Sequence, residues 1–198
     1  MSVLAPLVLV LAAAQSSPPV IVPPGGGQDV DVPFHPVRKL LPAAATEGAV
    51  TIYEFSVPPK SAGAPPHVHT QEDEYFYVLE GEVTVMHGEE MTLADPGTLA
   101  ALPRGHQHAF WNAGEAPARM LAIVSGGNAF EPFFDALVVR LREEGSTGAA
   151  AIGALVGEVA AEHGIEMRPD AVPPEARAYF GAPPAAPSAT GDKPAGRR

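Results

Sequence analysis

An all-β barrel followed by α-helices is the fold class that the sequence predicts, and three observations carry it. Between residues 29 and 125, short apolar stretches recur, each closed by a Gly, Pro, Asn or Asp turn signal. Several of these stretches are rich in β-branched and aromatic residues, as strands are. Beyond Gly126-Gly127 the apolar residues fall at helical spacing instead. Many short, evenly spaced strands argue for a barrel or sandwich, and no internal repeat of this region is visible, so one barrel is expected.

The elements follow in order. Residues 4–14 form an apolar run ending in Ala12-Ala13-Ala14, which fits a secretory signal, but no Lys or Arg precedes it and Pro6 interrupts it. The run is too short for an ordinary membrane span, and a cytoplasmic location is favoured over export. Residues 1–28 are therefore read as an apolar segment and flexible lead-in, the later part rich in Ser, Pro and Gly. The barrel is assigned to residues 29–126. Its strands are expected at residues 50–57, ending at Pro58-Pro59, and at 74–79, running into Glu80-Gly81-Glu82. Further strands are expected at 83–86, closed by His87-Gly88, and at 91–93, before Asp95-Pro96-Gly97. The last three fall at 99–102, 108–111 and 119–124.

Residues 127–181 are read as a helical extension. Asn128 is the expected N-cap of a first helix whose apolar stripe is Phe130, Phe133, Phe134, Leu137, Val138 and Leu141, stopped by Gly145. Thr147 is the expected cap of a second helix, with Ile152, Leu155, Val156 and Val159 on one face, and a third short helix is expected over residues 174–180. Residues 182–198 are Ala, Pro, Gly and polar residues, the composition of a disordered tail.

Composition narrows the function. The formal net charge is −11, with 23 acidic and 12 basic residues and no basic cluster, which argues against a nucleic-acid partner. The chain has no cysteine, so disulfides, thiolate metal sites and cysteine nucleophiles are excluded. Any metal site must use nitrogen and oxygen ligands.

His67 and His69 are one residue apart, so a strand through them aims both imidazoles to one side. Glu74 follows and His108 lies on a later segment. Imidazole and carboxylate donors suit one divalent transition metal: iron, manganese, nickel, copper or zinc. If Glu74 faces the barrel interior, Phe76 and Val78 do too, and Phe110 accompanies His108. These three residues are the expected wall of a substrate pocket. Glu72 and Asp73 are rival carboxylates, expected in the turn before the strand. His106 is expected in a loop at the barrel mouth, and His35, His87 and His163 at the surface. Tyr75 and Tyr77 should face away from the site.

The spacing of these residues resembles the paired motifs of the cupin superfamily. His67-x-His69, four residues, Glu74, six residues and Gly81 match the first motif, whose leading glycine is missing near Ser61, with Gly63 nearby. Gly97, five residues, Pro103-x-Gly105, two residues, His108, three residues and Asn112 match the second. The fifteen residues between Gly81 and Gly97 are a linker of the single-barrel type. The resemblance implies a double-stranded β-helix (jelly-roll) barrel and His67, His69, Glu74 and His108 as metal ligands. The segment Gly126-Gly127-Asn128-Ala129-Phe130-Glu131-Pro132-Phe133-Phe134 is similar to the tail of quercetin dioxygenase-like cupins. That similarity implies a dioxygenase acting on a small oxygenated aromatic or enolic compound, with Glu74 also taking a substrate proton and dioxygen as co-substrate. A metal-dependent isomerase or decarboxylase, and a non-catalytic small-molecule binder, are the rival readings. A homodimer is left open.

Overall fold

Residues 17–145 and 148–181 are described by a computed structural model. The described strands, in chain order, are β1 (Gln28–Val30), β2 (Val37–Leu41), β3 (Val50–Val57), β4 (Ser61–Ala62), β5 (His67–His69) and β6 (Asp73–Glu80). After them come β7 (Val83–His87), β8 (Glu90–Ala94), β9 (Leu99–Leu102), β10 (His108–Asn112), β11 (Ala118–Ser125) and β12 (Ile165–Met167). The helices are α1 (Phe130–Glu144), α2 (Ala149–Glu162) and the single turn α3 (Arg177–Phe180). The leader-like run at residues 4–14 and the tail at 182–198 lie outside the described residues.

The strands form two antiparallel sheets facing each other. The first runs β1-β2-β3-β11-β6-β9, the second β12-β5-β10-β7-β8, with β4 also on β10. Strict alternation builds the interior. In β3, β6 and β11 every second residue is buried, which sends Phe55, Phe76, Val78, Met120 and Val124 inward against Val85 and Phe110 of the opposite sheet. Strand β10 departs from alternation and is buried along its whole length. Its outer residues Ala109 and Trp111, with Met86, are covered by Val172, Ala176 and Phe180 of the C-terminal segment. The barrel is thus an all-β jelly roll with helices packed outside it, as the alternating pattern predicts.

The extension differs from expectation in four places. Helix α1 begins after Ala129, and neither Ala129 nor Asn128 caps it with a side chain. The Glu72 carboxylate does so from 57 and 58 residues away, accepting the Ala129 and Phe130 N–H groups at 2.7 and 2.9 Å. The N-cap position of α2 is Gly148, and the expected cap Thr147 lies outside the described residues. Residues 174–180 are not one helix: a 3₁₀ turn over Pro174–Ala176 precedes α3. The segment 127–181 is also not helical throughout. Ile165–Met167 forms β12 and pairs with β5, placing Ile165 opposite His69 and Met167 opposite His67. Three residues are too few to show a period, so this strand left no sequence signal.

Helix α1 is fixed to the first sheet by burial and by charge. Phe130, Phe133, Phe134 and Leu137 are buried on one face, where Tyr53 and Phe55 receive them. Beside them Lys39 of β2 donates to Glu131 at 2.6 Å, and Glu131 also accepts the Ala43 N–H at 2.6 Å.

Candidate metal centre

His67, His69, Glu74 and His108 come together inside the barrel, each buried. The pleat explains how. His67 and His69 are alternate residues of β5, and His108 is the direct cross-strand partner of His67. These three imidazoles share one sheet. Glu74 reaches them from β6 of the facing sheet, as the second position of that strand. One donor atom from each residue lies within 4.8 Å of every other.

The three histidines point the same nitrogen inward. Glu74 Oε2 lies 2.9 Å from Nε2 of His108, 3.5 Å from Nε2 of His69 and 4.0 Å from Nε2 of His67. Each Nδ1 faces an acceptor behind it. His67 Nδ1 donates to the Pro65 carbonyl at 2.8 Å and His108 Nδ1 to the His106 carbonyl at 3.1 Å. His69 Nδ1 faces the Glu72 carboxylate at 3.6 Å. Acceptors at Nδ1 favour a proton there and turn Nε2 toward the shared centre, the arrangement found behind metal-bound imidazoles.

The residues fit a divalent cation. Donors about 2.0–2.2 Å from one ion stand about 3–4 Å apart, the separation seen between Glu74 Oε2 and the three Nε2 atoms. Both nitrogens of His69 are buried without a hydrogen bond, an arrangement that costs stability unless another partner satisfies them. Three imidazoles and one carboxylate suit borderline transition metals. Burial opposes charge on Glu74, but the hydrogen bond from His108 and the nearby His69 imidazole outweigh it and hold the carboxyl well below the usual range. Burial, with His108 and His69 beside it, pushes His67 well below its ordinary value. Burial also opposes charge on His69, but Glu72 and Glu74 outweigh it and hold His69 up to about 9, so a cation entering the centre displaces a proton from this ring.

Phe76, Val78 and Phe110 share the interior face with this cluster and are packed into the core, and none of them lines the cleft between β8 and β9. Phe76 lies 6.2 Å from the His108 ring and 5.1 Å from Phe110, which stacks on Phe55 at 5.8 Å. Val78 follows one pleat further along β6 and is 1% exposed. Gly63 is required by this packing, since a Cβ there would stand 2.0 Å from the Phe110 ring. A cleft of about 250 Å³ opens alongside, between the free edges of β8 and β9, lined by Val85, His87, Thr92, Ala94, Leu99 and Leu102 among others. Strand register relates its lining to the centre: His87 is the cross-strand partner of His108, and Leu102 that of Glu74.

The rival residues have other roles. Asp73 forms a two-pronged ion pair with Arg104 at 2.8 and 3.0 Å and also accepts the Arg104 N–H. Hydrogen bonds from Arg104 hold Asp73 down at about 2. His106 is exposed in the loop before β10. His163 is half-buried, its Nδ1 bonded to the Val159 carbonyl. Tyr75 and Tyr77 face away from the cluster. Asn112 ties its turn together, donating to the Val57 and Ala116 carbonyls and accepting the Gly114 N–H.

Three participants were not legible as such in the sequence. Glu72 is 2% exposed and backs His69. Phe130 belongs to the stripe read as packing, and its ring also lies 5.6 Å from that of His69. His35 is not a surface residue: it is 5% exposed, between Phe34, Phe55 and Phe110. Its neighbours Pro36 and Phe34 are all the local sequence offers, and the burying rings come from distant strands.

Comparison with known proteins agrees with the architecture. The family model described as a cupin domain matches residues 53–124. A crystal structure of a predicted oxalate decarboxylase from Thermotoga maritima superposes with a TM-score of 0.50 at 18% identity, covering 54% of this chain and 99% of that one. A sugar phosphate isomerase from a cupin superfamily, from Silicibacter pomeroyi, gives 0.42 at 22% identity over 50% of this chain and 69% of that one. These likenesses are of fold alone. An oxidoreductase from Pestalotiopsis fici is 40% identical over 50 residues, 25% of this chain, and the chain spans 24% of that relative's length. Among the described residues no helix is long and apolar enough to cross a membrane.

Proposed function

Since this chain carries a cupin domain, we propose that it is a metal-dependent enzyme acting on a small oxygenated aromatic or enolic compound, as a dioxygenase of the quercetinase-like kind. One observation carries the proposal: three imidazole Nε2 atoms and one carboxylate oxygen converge inside the barrel, on the interior face that also carries the buried side chains of Phe76, Val78 and Phe110. His67, His69, Glu74 and His108 would hold one divalent ion (iron, manganese, nickel, copper or zinc). That ion would supply Lewis acidity toward a substrate oxygen.

The chain's own residues set what substrate suits. The cleft beside the centre, about 250 Å³, lies at the small end of ligand pockets and is mostly apolar, with His87 and Thr92 as its polar corner. Glu74 is ionised at neutral pH, and with Oε2 turned to the three Nε2 atoms its other oxygen, Oε1, is the one to accept a substrate proton. Its weak basicity restricts it to an acidic O–H, such as that of an enol or phenol. The apolar wall keeps water from the deprotonated compound. In a dioxygenase both atoms of dioxygen enter the organic product, so the reaction needs no further reductant. The local likeness to an oxidoreductase supports a redox reaction over a non-redox one.

The test loads metal-free protein with each of the five metals and follows oxygen uptake and substrate loss on flavonols and diketones, in air and under nitrogen. Oxygen uptake matching substrate loss is expected, and none with Glu74→Gln. Equal substrate loss under nitrogen would replace the dioxygenase by an isomerase or decarboxylase on the same residues. Binding without turnover in either gas would leave a small-molecule-binding protein.

A further inference from the structure

Glu72 joins two parts of the molecule that are far apart in sequence. One carboxylate oxygen accepts the N–H groups of Ala129 and Phe130 at the start of α1. The other stands 3.6 Å from Nδ1 of His69. The side chain is 2% exposed, and it reaches this position because residue 127 is glycine: a Cβ there would lie 2.4 Å from Glu72 Cγ. Phe130, the first residue of the helix, also places its ring 5.6 Å from that of His69. His67 and His108 are backed by backbone carbonyls. His69 is backed by a side chain, and that side chain is tied to the helix.

We propose that Glu72 is a positioning residue that holds His69 with its proton on Nδ1 and its Nε2 free for the metal, and that it couples metal binding to the docking of helix α1. The inference rests on the reading of the four buried residues as a metal centre. An ionised carboxylate can only accept hydrogen bonds. Facing Nδ1, it selects the tautomer that leaves Nε2 as a lone pair. Its other oxygen is fixed by two backbone donors, so α1 must be docked for the carboxylate to be aimed. Reciprocity then requires that metal binding at His69 strengthen the docking of α1.

Glutamine at position 72 separates orientation from anchoring. Its amide oxygen still accepts the Ala129 and Phe130 N–H groups. Its NH₂ then faces His69 Nδ1, which must become the acceptor, and the imidazole proton moves to Nε2, where it blocks the metal. The opposite amide orientation would set N–H groups against the two backbone donors. Alanine at position 72 removes both functions.

The experiment titrates full-length, metal-free wild type, Glu72→Gln and Glu72→Ala with cobalt(II) against a competing chelator. The visible d–d bands report the coordination, and hydrogen exchange at the Ala129 and Phe130 amides reports the docking of α1. Wild type should bind cobalt and gain amide protection on binding. Glu72→Gln should bind roughly 10- to 100-fold more weakly, the usual loss when a residue behind a metal ligand is changed, with altered d–d bands and amide protection retained in the metal-free state. Glu72→Ala should lose both affinity and protection. Wild-type affinity and an unchanged spectrum in Glu72→Gln would overturn the inference. So would a loss of amide protection in Glu72→Gln equal to that in Glu72→Ala, which would make the residue an anchor only. A wild type that binds no cobalt would overturn the metal centre itself, and this inference with it.

Discussion

His35 shows what a single buried ionisable group does to a barrel. Burial among Phe34, Phe55 and Phe110 outweighs a weak bond to the Pro36 carbonyl and brings its pKa down to about 4. In the unfolded chain it titrates near 6.5. Between these values the unfolded state binds the proton and the folded state does not, so stability rises with pH across the window and is lost as pH falls from about 6.5 to about 4. The loss from this residue alone, from pH 7 to pH 4, is about 3 kcal/mol. Urea unfolding at a series of pH values should show that slope in the wild type and a slope shallower by up to one proton in His35→Gln. Parallel curves would mean that His35 is protonated without penalty. A second single-residue effect belongs to His87, at the polar corner of the cleft, where Nε2 lies 3.2 Å from Thr92 Oγ1. If substrate enters there, His87→Ala should raise KM several-fold while metal affinity stays within twofold of wild type. The pairing of these two readouts separates a contact to substrate from damage to His108, its cross-strand partner.

Elements are held together in this molecule by contacts the sequence spreads widely, and α1 is the clearest case. Lys39 and Glu131 meet at 2.6 Å with only 9% and 16% of their side chains exposed, 92 residues apart. Asp135 adds a second carboxylate 3.7 Å from the same Lys39 nitrogen. Lys39→Met leaves two carboxylates facing an apolar stem. Breaking a buried pair costs about 3–5 kcal/mol, and the partial exposure of Glu131 places this one at about 3. The midpoint of denaturant unfolding should fall accordingly, while Lys39→Met combined with Glu131→Gln should recover part of the loss. This distance in sequence is also what separates the legible from the illegible. The strands β3, β6 and β11 could be read because period-two burial is local, and His67, His69, Glu74 and His108 because their spacing matches a known pair of motifs. The start of α1 could not, because its cap is Glu72 and not Asn128. Nor could β12, whose three residues become a strand only by lying against β5. The burial of β10 on both faces depends on a cover supplied by Val172 and Ala176.

At the scale of the whole molecule, the candidate metal centre draws its four residues from both sheets, so an ion held there would cross-link them. Three of its residues sit on β5 and β10 of one sheet, and Glu74 sits on β6 of the other. Strand β12 flanks β5, and Glu72 connects the same corner to α1. This corner contains buried ionisable groups, among them His69, both of whose nitrogens lack a hydrogen bond. An ion that binds the folded arrangement and not the unfolded chain stabilises by mass action, about 2.7 kcal/mol when its free concentration is a hundred times its Kd. For a chain of this length that corresponds to a rise in Tm of roughly 5–10 °C. Calorimetry of metal-free and metal-loaded protein should therefore show one cooperative transition moved upward as a whole, not a separate early transition sharpened. Chelator should reverse it, and Glu74→Gln should remove most of the difference, because the cross-link loses the only carboxylate among its four residues. The net charge of −11 works in the same direction, drawing cations toward the protein at low salt. The shift should thus shrink modestly in high salt through a weaker apparent Kd. Tight metal binding by an independent titration, together with an unmoved Tm, would show that the ion sits elsewhere or binds the unfolded chain equally well, and the two sheets would then owe their union to the apolar core alone.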